Sequence, residues 1–168
     1  MTEDIVAAVI RQWEEVLPGL DTGPMAVIGR LNRCSALLQQ AADAPLRRAG
    51  LSRPEFDVLG TLRRVDRELT PGRIARETFA SGAAVTKRVR QLEERGLVHR
   101  RTDDRDRRVT HLSLTEQGRT LLDRLLPQQL GYEAALLDGI DPRSQQELST
   151  SLGELLVLLE GRLGSLLS

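Results

Sequence analysis

The chain has 168 residues, with 24 Lys+Arg balanced by 24 Asp+Glu, 40% hydrophobic residues and 2% aromatic ones. That supplies apolar material for a sizeable core, too much for a disordered chain, and too few aromatics for the base-stacking platforms that hold single-stranded nucleic acid. The single cysteine, Cys34, excludes an internal disulfide and a multi-thiolate metal site; without an apolar run of about 18 residues and with acidic Glu3 and Asp4 where a signal peptide carries positive charge, a cytoplasmic protein with no membrane partner is expected.

From Asp4 to about Leu17, apolar Ile5, Val9, Ile10, Trp13, Val16 and Leu17 recur at three- to four-residue spacing and predict an amphipathic helix. Pro18-Gly19 ends it. A long helix is predicted from about Pro24 to Ala49, with Pro45 bending or breaking it and Gly50 as its C-cap. Ser52 caps a short helix from Arg53 to about Asp66 with apolar Phe56, Leu59, Leu62 and Val65. Thr70-Pro71 opens a helix of about two turns through Glu77, and Ser81 caps another ending at Arg95 before Gly96. Two short helices joined by a tight turn form a helix-turn-helix whose second member is the reading helix.

Beyond Gly96, Leu97–Arg100 and Val109–Leu114 read as short strands around the charged tip Thr102–Arg107. The fold class expected is therefore mainly α with a small β wing: a winged helix-turn-helix with helical flanks. Thr115 starts a long helix to about Leu137 with a kink at Pro127, and Asp141-Pro142 starts the last one. Leu148, Leu152, Leu155, Leu156, Leu159, Leu163 and Leu166 give that last helix a broad apolar stripe. A second chain is the expected cover for it, with packing of the first helix on the last as the alternative. Residues 1–50 and 115–168 are thus assigned to dimerisation and 51–114 to the winged domain.

The zero net charge hides a basic block. Ala84–Arg108 holds nine cations and five anions, and Val109–Ser168 four cations and eight anions. Composition alone also allows a solvated, salt-bridged face. At 100° per residue, Val85, Val89 and Leu92 share one side of the helix after Ser81, and Lys87, Arg90 and Glu94 lie opposite, where they can enter a major groove. Small Ser81, Gly82, Ala83 and Ala84 let the helix start approach a duplex, and Thr86 suits either a base edge or a phosphate. Arg88 falls beside the apolar stripe, where it can hold an anion, reach DNA or pair with Asp57 or a glutamate. Asp57, between apolar Phe56 and Val58, is expected to be partly buried and to need a partner. Trp13, the only tryptophan, reads as a core anchor. Cys34, near an apolar stripe, reads as a buried inert thiol, with oxidant sensing as the alternative. His99 and His111 lie on opposite wing strands without a third metal ligand. Neither a nucleophile elbow, a P-loop nor a dinucleotide fingerprint is present, so neither an enzyme nor a cofactor is expected.

The segments LSRPEFDVLGTLRR, LTPGRIAR, SGAAVTKRVRQLEERGLVHRR and DDRDRRVTHLSLTEQG, in this order and spacing, resemble the MarR family of dimeric winged-helix transcription regulators. The first-helix run RQWEEVLPGLDTGPMAVIGRLNR is similar to that of the urate-responsive branch. The resemblance implies a homodimer, usually a repressor, that binds a pseudo-palindromic DNA operator and is released by a small anionic effector such as urate or a related purine or carboxylate. It implies DNA contacts from Ser81, Ala84, Thr86, Lys87, Arg88 and Arg90 and from wing residues Arg107 and Arg108, one inserting into the minor groove with Asp106 bracing it. It implies an effector site of Trp13, Asp57, Arg88 and Arg100, with Trp13 as a stacking wall. The chain departs from the branch in the short stretch Arg64–Glu68 and in Lys87, where an Asn is frequent. A winged helix serving only protein–protein interaction is the alternative from another class.

Overall fold

The structure is a computed structural model describing residues 3–41 and 44–163. It forms two compact units, Met1–Gln129 and Leu130–Ser168. Unit 1 opens with α1 (Ile5–Val16) and α2 (Gly23–Gln40). Asp4 caps α1 by accepting the N–H groups of Val6 and Ala7 at 2.9 and 3.0 Å. The same carboxylate is gripped by Arg30 of α2 through Nε and Nη2 at 3.1 and 2.9 Å. Gly29 lets the two helices approach, because a Cβ there would stand 3.0 Å from a Val6 methyl. Neither helix buries a residue, and Val9, Trp13, Val27 and Ile28 stay exposed.

A single helix over 24–49 does not form. α2 stops at Gln40, and α3 (Ala44–Arg48) is separate, with Pro45 in its first turn. Proline lacks the N–H and clashes with the carbonyl four residues back, so it suits a helix start and not an interior. Gly50, at φ +67°, follows the end of α3.

α4 (Arg53–Val65), α5 (Pro71–Glu77) and α6 (Gly82–Glu94) enclose the core with β1 (Val98–Thr102), β2 (Thr110–Leu114) and the start of α7 (Glu116–Leu136). Leu46, Val58, Leu59, Ile74, Val85, Val89, Leu92 and Leu112 are fully buried there. Ser52 and Glu55 form a reciprocal capping box at the start of α4. Arg95, just past α6, donates to the carbonyls of Gly50 and Ala49 at 2.8 and 3.3 Å. The end of the reading helix is thereby tied to the α3–α4 corner.

β1 and β2 pair antiparallel, from Val98 opposite Leu114 to Thr102 opposite Thr110; each starts one residue later than the sequence pattern predicts, β1 ends two residues later, and β2 ends at Leu114 as predicted. Leu69, before α5, adds an isolated antiparallel bridge to β2 by exchanging backbone hydrogen bonds with Leu112 at 3.0 and 2.8 Å. Gly118 seats α7 on this region: any Cβ there would come 2.1 Å from the Leu97 carbonyl oxygen. Thr115 caps the helix, accepting from the Gly118 N–H at 3.0 Å while donating to the Gly96 carbonyl at 2.7 Å. α7 continues through Pro127.

Unit 2 holds the last turns of α7 and α8 (Pro142–Leu163). Asp141 caps α8 by accepting the N–H groups of Arg143 and Ser144. No described residue of unit 2 is buried, and Leu148, Leu152, Leu156, Val157 and Leu158 are exposed. Leu166 lies outside the described residues. No described helix is long and apolar enough to cross a membrane.

Candidate nucleic-acid interface

α6 turns as its periodicity predicts. Val85, Val89 and Leu92 are at 0% exposure, so Lys87 and Arg90 are carried outward. Ser81 accepts the Ala84 N–H at 3.3 Å, which occupies a lone pair and leaves the hydroxyl proton for an outside acceptor. Thr86 donates to the Gly82 carbonyl at 2.9 Å, so its oxygen can only accept from a duplex while its methyl remains available. Ala84 is half-buried and Ser81 exposed. The capped, uncrowded start of α6 thus offers its partial positive charge to phosphate. Lys87 is exposed and has no ion pair among the described residues. Arg90 is held by Glu94, Nε to Oε1 at 2.8 Å, on the solvent side.

Asp103 organises the wing tip. Its carboxylate accepts the N–H groups of Arg105 and Asp106 at 2.8 and 3.0 Å, and His111 Nε2 lies 2.9 Å away. These contacts, the Asp106 N–H first and then His111, hold its carboxyl down at about 2. Asp106 takes both the backbone N–H and the guanidinium of Arg108, at 3.0, 3.1 and 3.3 Å. The Arg108 guanidinium is the chief reason its carboxyl lies below the usual range. The arginine that Asp106 braces is therefore Arg108. Arg107 is exposed without an ion pair among the described residues. Behind the tip, Glu68 grips Arg101 at 2.7 and 3.2 Å, Arg64 pairs with Glu77 at 3.1 Å, and Arg119 with Asp66 at 3.0 Å. The short charged stretch 64–68 thus clamps the wing, α5 and α7 to one another.

Asp57 and Arg88 line one cleft of about 220 Å3, together with Pro54, Thr78, Phe79, Ala80, Ser81 and Ala84. Arg88 is half-buried, without an ion pair among the described residues. Asp57 is exposed rather than partly buried. α4 turns Phe56, Val58, Leu59 and Leu62 toward the core, and the residue between the first two faces out. Trp13 and Arg100 are not among the residues lining the cleft. Trp13 is 42% exposed on α1, so it is no core anchor within this chain, and Arg100 of β1 lies 3.8 Å from Glu93. Cys34 is exposed rather than buried, as expected for a helix that buries nothing. His99 is exposed, and no metal-holding cluster occurs among the described residues.

Two residues escaped the sequence reading. Arg76, in the last turn of α5, is exposed and, unlike Arg64 and Arg73, has no acidic partner among the described residues. Its place at the turn before the reading helix was the available signal. Phe79 stands in the turn itself with φ +51° and 82% of its surface exposed. An aromatic where glycine or asparagine is the usual choice was the signal there.

Comparison with known proteins agrees with this geometry. The MarR family profile matches residues 49–109. The HTH-type transcriptional regulator PecS of Dickeya dadantii (strain 3937) is 32% identical over 150 residues, 88% of this chain and 90% of that protein. The transcriptional repressor MprA of Escherichia coli (strain K12) is 29% identical over 116 residues, 68% of this chain and 66% of that one. The fold is similar to that of MepR in its crystallised DNA complex from S. aureus, with a TM-score of 0.68 and 24% identity over 77% of this chain and 94% of that one. These relatives are transcription regulators rather than enzymes. The chain belongs to the MarR family and is a DNA-binding transcription regulator.

Proposed function

We propose that the protein is a homodimeric repressor released from its operator by a small organic anion. Two copies present α6 and the wing to half-sites about one helical turn apart on a pseudo-palindrome. Lys87 and Arg90 meet the major groove, with Arg88 at its edge; Ser81, Ala84 and Thr86 support the helix start at the phosphates. Arg107 and Arg108 serve the wing, Arg108 entering a narrow minor groove in the orientation that Asp106 sets. The repressor role has support in the name of the relative MprA.

The effector half rests on one observation: Arg88, a cation on the reading helix, lines the same cleft as Asp57 and the α6 cap residue Ser81. An anion seated on Arg88 withdraws a positive charge from the DNA side and loads the start of α6. It weakens DNA binding by no more than the ratio of its affinities for the free and DNA-bound states. Urate or a related purine or carboxylate fits this chemistry. Trp13 completes the site only if a second copy or a shift of α1 brings it in, and Arg100 only if it turns away from Glu93 or comes from a second copy.

Fluorescence anisotropy on labelled DNA from the chain's own upstream intergenic region tests both halves. Arg108→Ala is expected to weaken binding and lower the salt slope by about one. Urate is expected to release the DNA, and Arg88→Ala to raise the concentration needed at least tenfold. An unaltered affinity and slope in Arg108→Ala sinks the wing assignment. A complex that no purine or carboxylate anion releases sinks the effector site.

A further inference from the structure

Thr86 stands on the reading helix with its hydroxyl already used. Oγ1 donates to the Gly82 carbonyl, one turn back, at 2.9 Å, the bond that serine and threonine make to their own helix. A hydroxyl has one proton to give, so phosphate oxygens and base carbonyls, which only accept, gain nothing from it. The threonine Cβ carries two branches, and with Oγ1 folded onto the helix the methyl is the branch left for contact. Thr86 is exposed, on the flank of the outward face, with Arg90 one turn ahead and Gly82 and Ala83 one turn behind. Those two are exposed as well, and a Cβ built on Gly82 would meet nothing within 4 Å. No long side chain on that flank holds the methyl away from a flat partner. Lys87 and Arg90 bring charge and hydrogen-bond donors to the same face; what Thr86 adds is an apolar contact.

We propose that Thr86 is a specificity-determining residue that reads a thymine: its methyl packs on the thymine C5-methyl group in the major groove of each half-site. That methyl is the apolar feature of the base-pair edges in this groove, and it marks T·A apart from the other pairs. Bringing two methyl groups together removes both from water, so the contact selects a base without a hydrogen bond. The hydroxyl meanwhile serves the helix start, and the two branches of one side chain have separate tasks. The proposal rests on α6 being the helix that enters the groove. Its rival at the same residue is the threonine oxygen accepting from the amino group of adenine or cytosine.

The test uses the full-length protein and the operator footprinted in the chain's own upstream intergenic DNA. Each thymine of a half-site is replaced in turn by deoxyuridine, which removes the C5-methyl and keeps every hydrogen-bonding group, and affinity is read by anisotropy. One such replacement is expected to weaken binding about three- to fivefold, the worth of one buried methyl group. Thr86→Ser keeps the bond to Gly82 but loses the methyl; it is expected to bind the thymine and deoxyuridine operators equally. Thr86→Val keeps a methyl but loses the oxygen; it is expected to retain the preference for thymine. If no replacement matters, or the one that matters costs Thr86→Ser as much as it costs the unaltered protein, the proposal is overturned. It is also overturned if Thr86→Val binds the thymine operator more weakly than Thr86→Ser does, because the oxygen is then the contact. If Lys87→Ala and Arg90→Ala both leave operator affinity unchanged, α6 does not enter the groove, and the proposal falls with that reading rather than at Thr86.

Discussion

Arg108 and Arg90 are both tied to a carboxylate, with opposite consequences for a duplex. Asp106 holds Arg108 through backbone and side chain together, so the guanidinium, though 91% exposed, is biased toward one direction before DNA arrives. The Arg90–Glu94 pair is a single exposed contact one helical turn apart, with 79% and 59% of the two side chains in water. Such pairs contribute only about 0.3–0.5 kcal/mol, so a phosphate can displace the carboxylate. Glu94 then remains as a negative charge near the backbone. Glu94→Gln is accordingly expected to tighten operator binding about two- to fivefold at low salt and progressively less as salt rises, measured by anisotropy. Unchanged or weaker binding would show that Arg90 does not face the duplex.

The wing tip is held by backbone and by one side chain together. Two backbone hydrogen bonds cross the hairpin tip, from the Asp103 N–H to the Val109 carbonyl and from the Val109 N–H to the Asp106 carbonyl, and the Asp103 side chain adds to them by taking two further N–H groups and facing His111. Its carboxyl sits at about 2 against an ordinary 3.8. A depressed carboxylate contributes stability that is whole above pH 3.8 and lost as the pH falls through 2, so its part in the wing is constant across physiological pH. Asp103→Ala is expected to speed hydrogen exchange at the Arg105 and Asp106 amides several-fold at pH 7 and to weaken DNA binding without unfolding the core; unaltered exchange rates at both amides would place the rigidity elsewhere. The hairpin itself was legible from its alternating apolar residues and charged tip, and the outward face of α6 from the spacing of Val85, Val89 and Leu92. Partners such as Asp103 with His111, or Glu68 with Arg101, were not legible, because register and loop geometry decide them and periodicity does not. Asp57 shows the same limit: apolar sequence neighbours suggested burial, whereas in a helix the residue between two inward positions can point out. The Pro45 break was half-legible, since proline marks where a helix is interrupted but not whether it bends or stops. Phe79 was legible only as an oddity until its positive φ and its place on the cleft were known.

At the scale of the whole molecule, the elements differ in how they bury apolar residues. The stretch from α3 to the start of α7 encloses the core of the winged domain, whereas α1, α2 and α8 bury no described apolar residue. Exposed leucines at 148, 152, 156 and 158 on α8 make a surface that a monomer would leave in water, and a second copy is the proposed cover. The proposal separates itself from a merely sticky surface at Leu156, which is 54% exposed. In a monomeric protein, Leu156→Asp at such a position would change stability by no more than about 0.5 kcal/mol and affect nothing else. If a second chain covers it, the buried carboxylate opposes association. The variant is then expected to sediment as a monomer, to keep its helical far-UV signal, and to lose more than tenfold in operator affinity because each half-site must bind on its own. A dimer that persists in Leu156→Asp, with operator affinity unaltered, would remove α8 from the interface and leave its leucine stripe in need of another occupant.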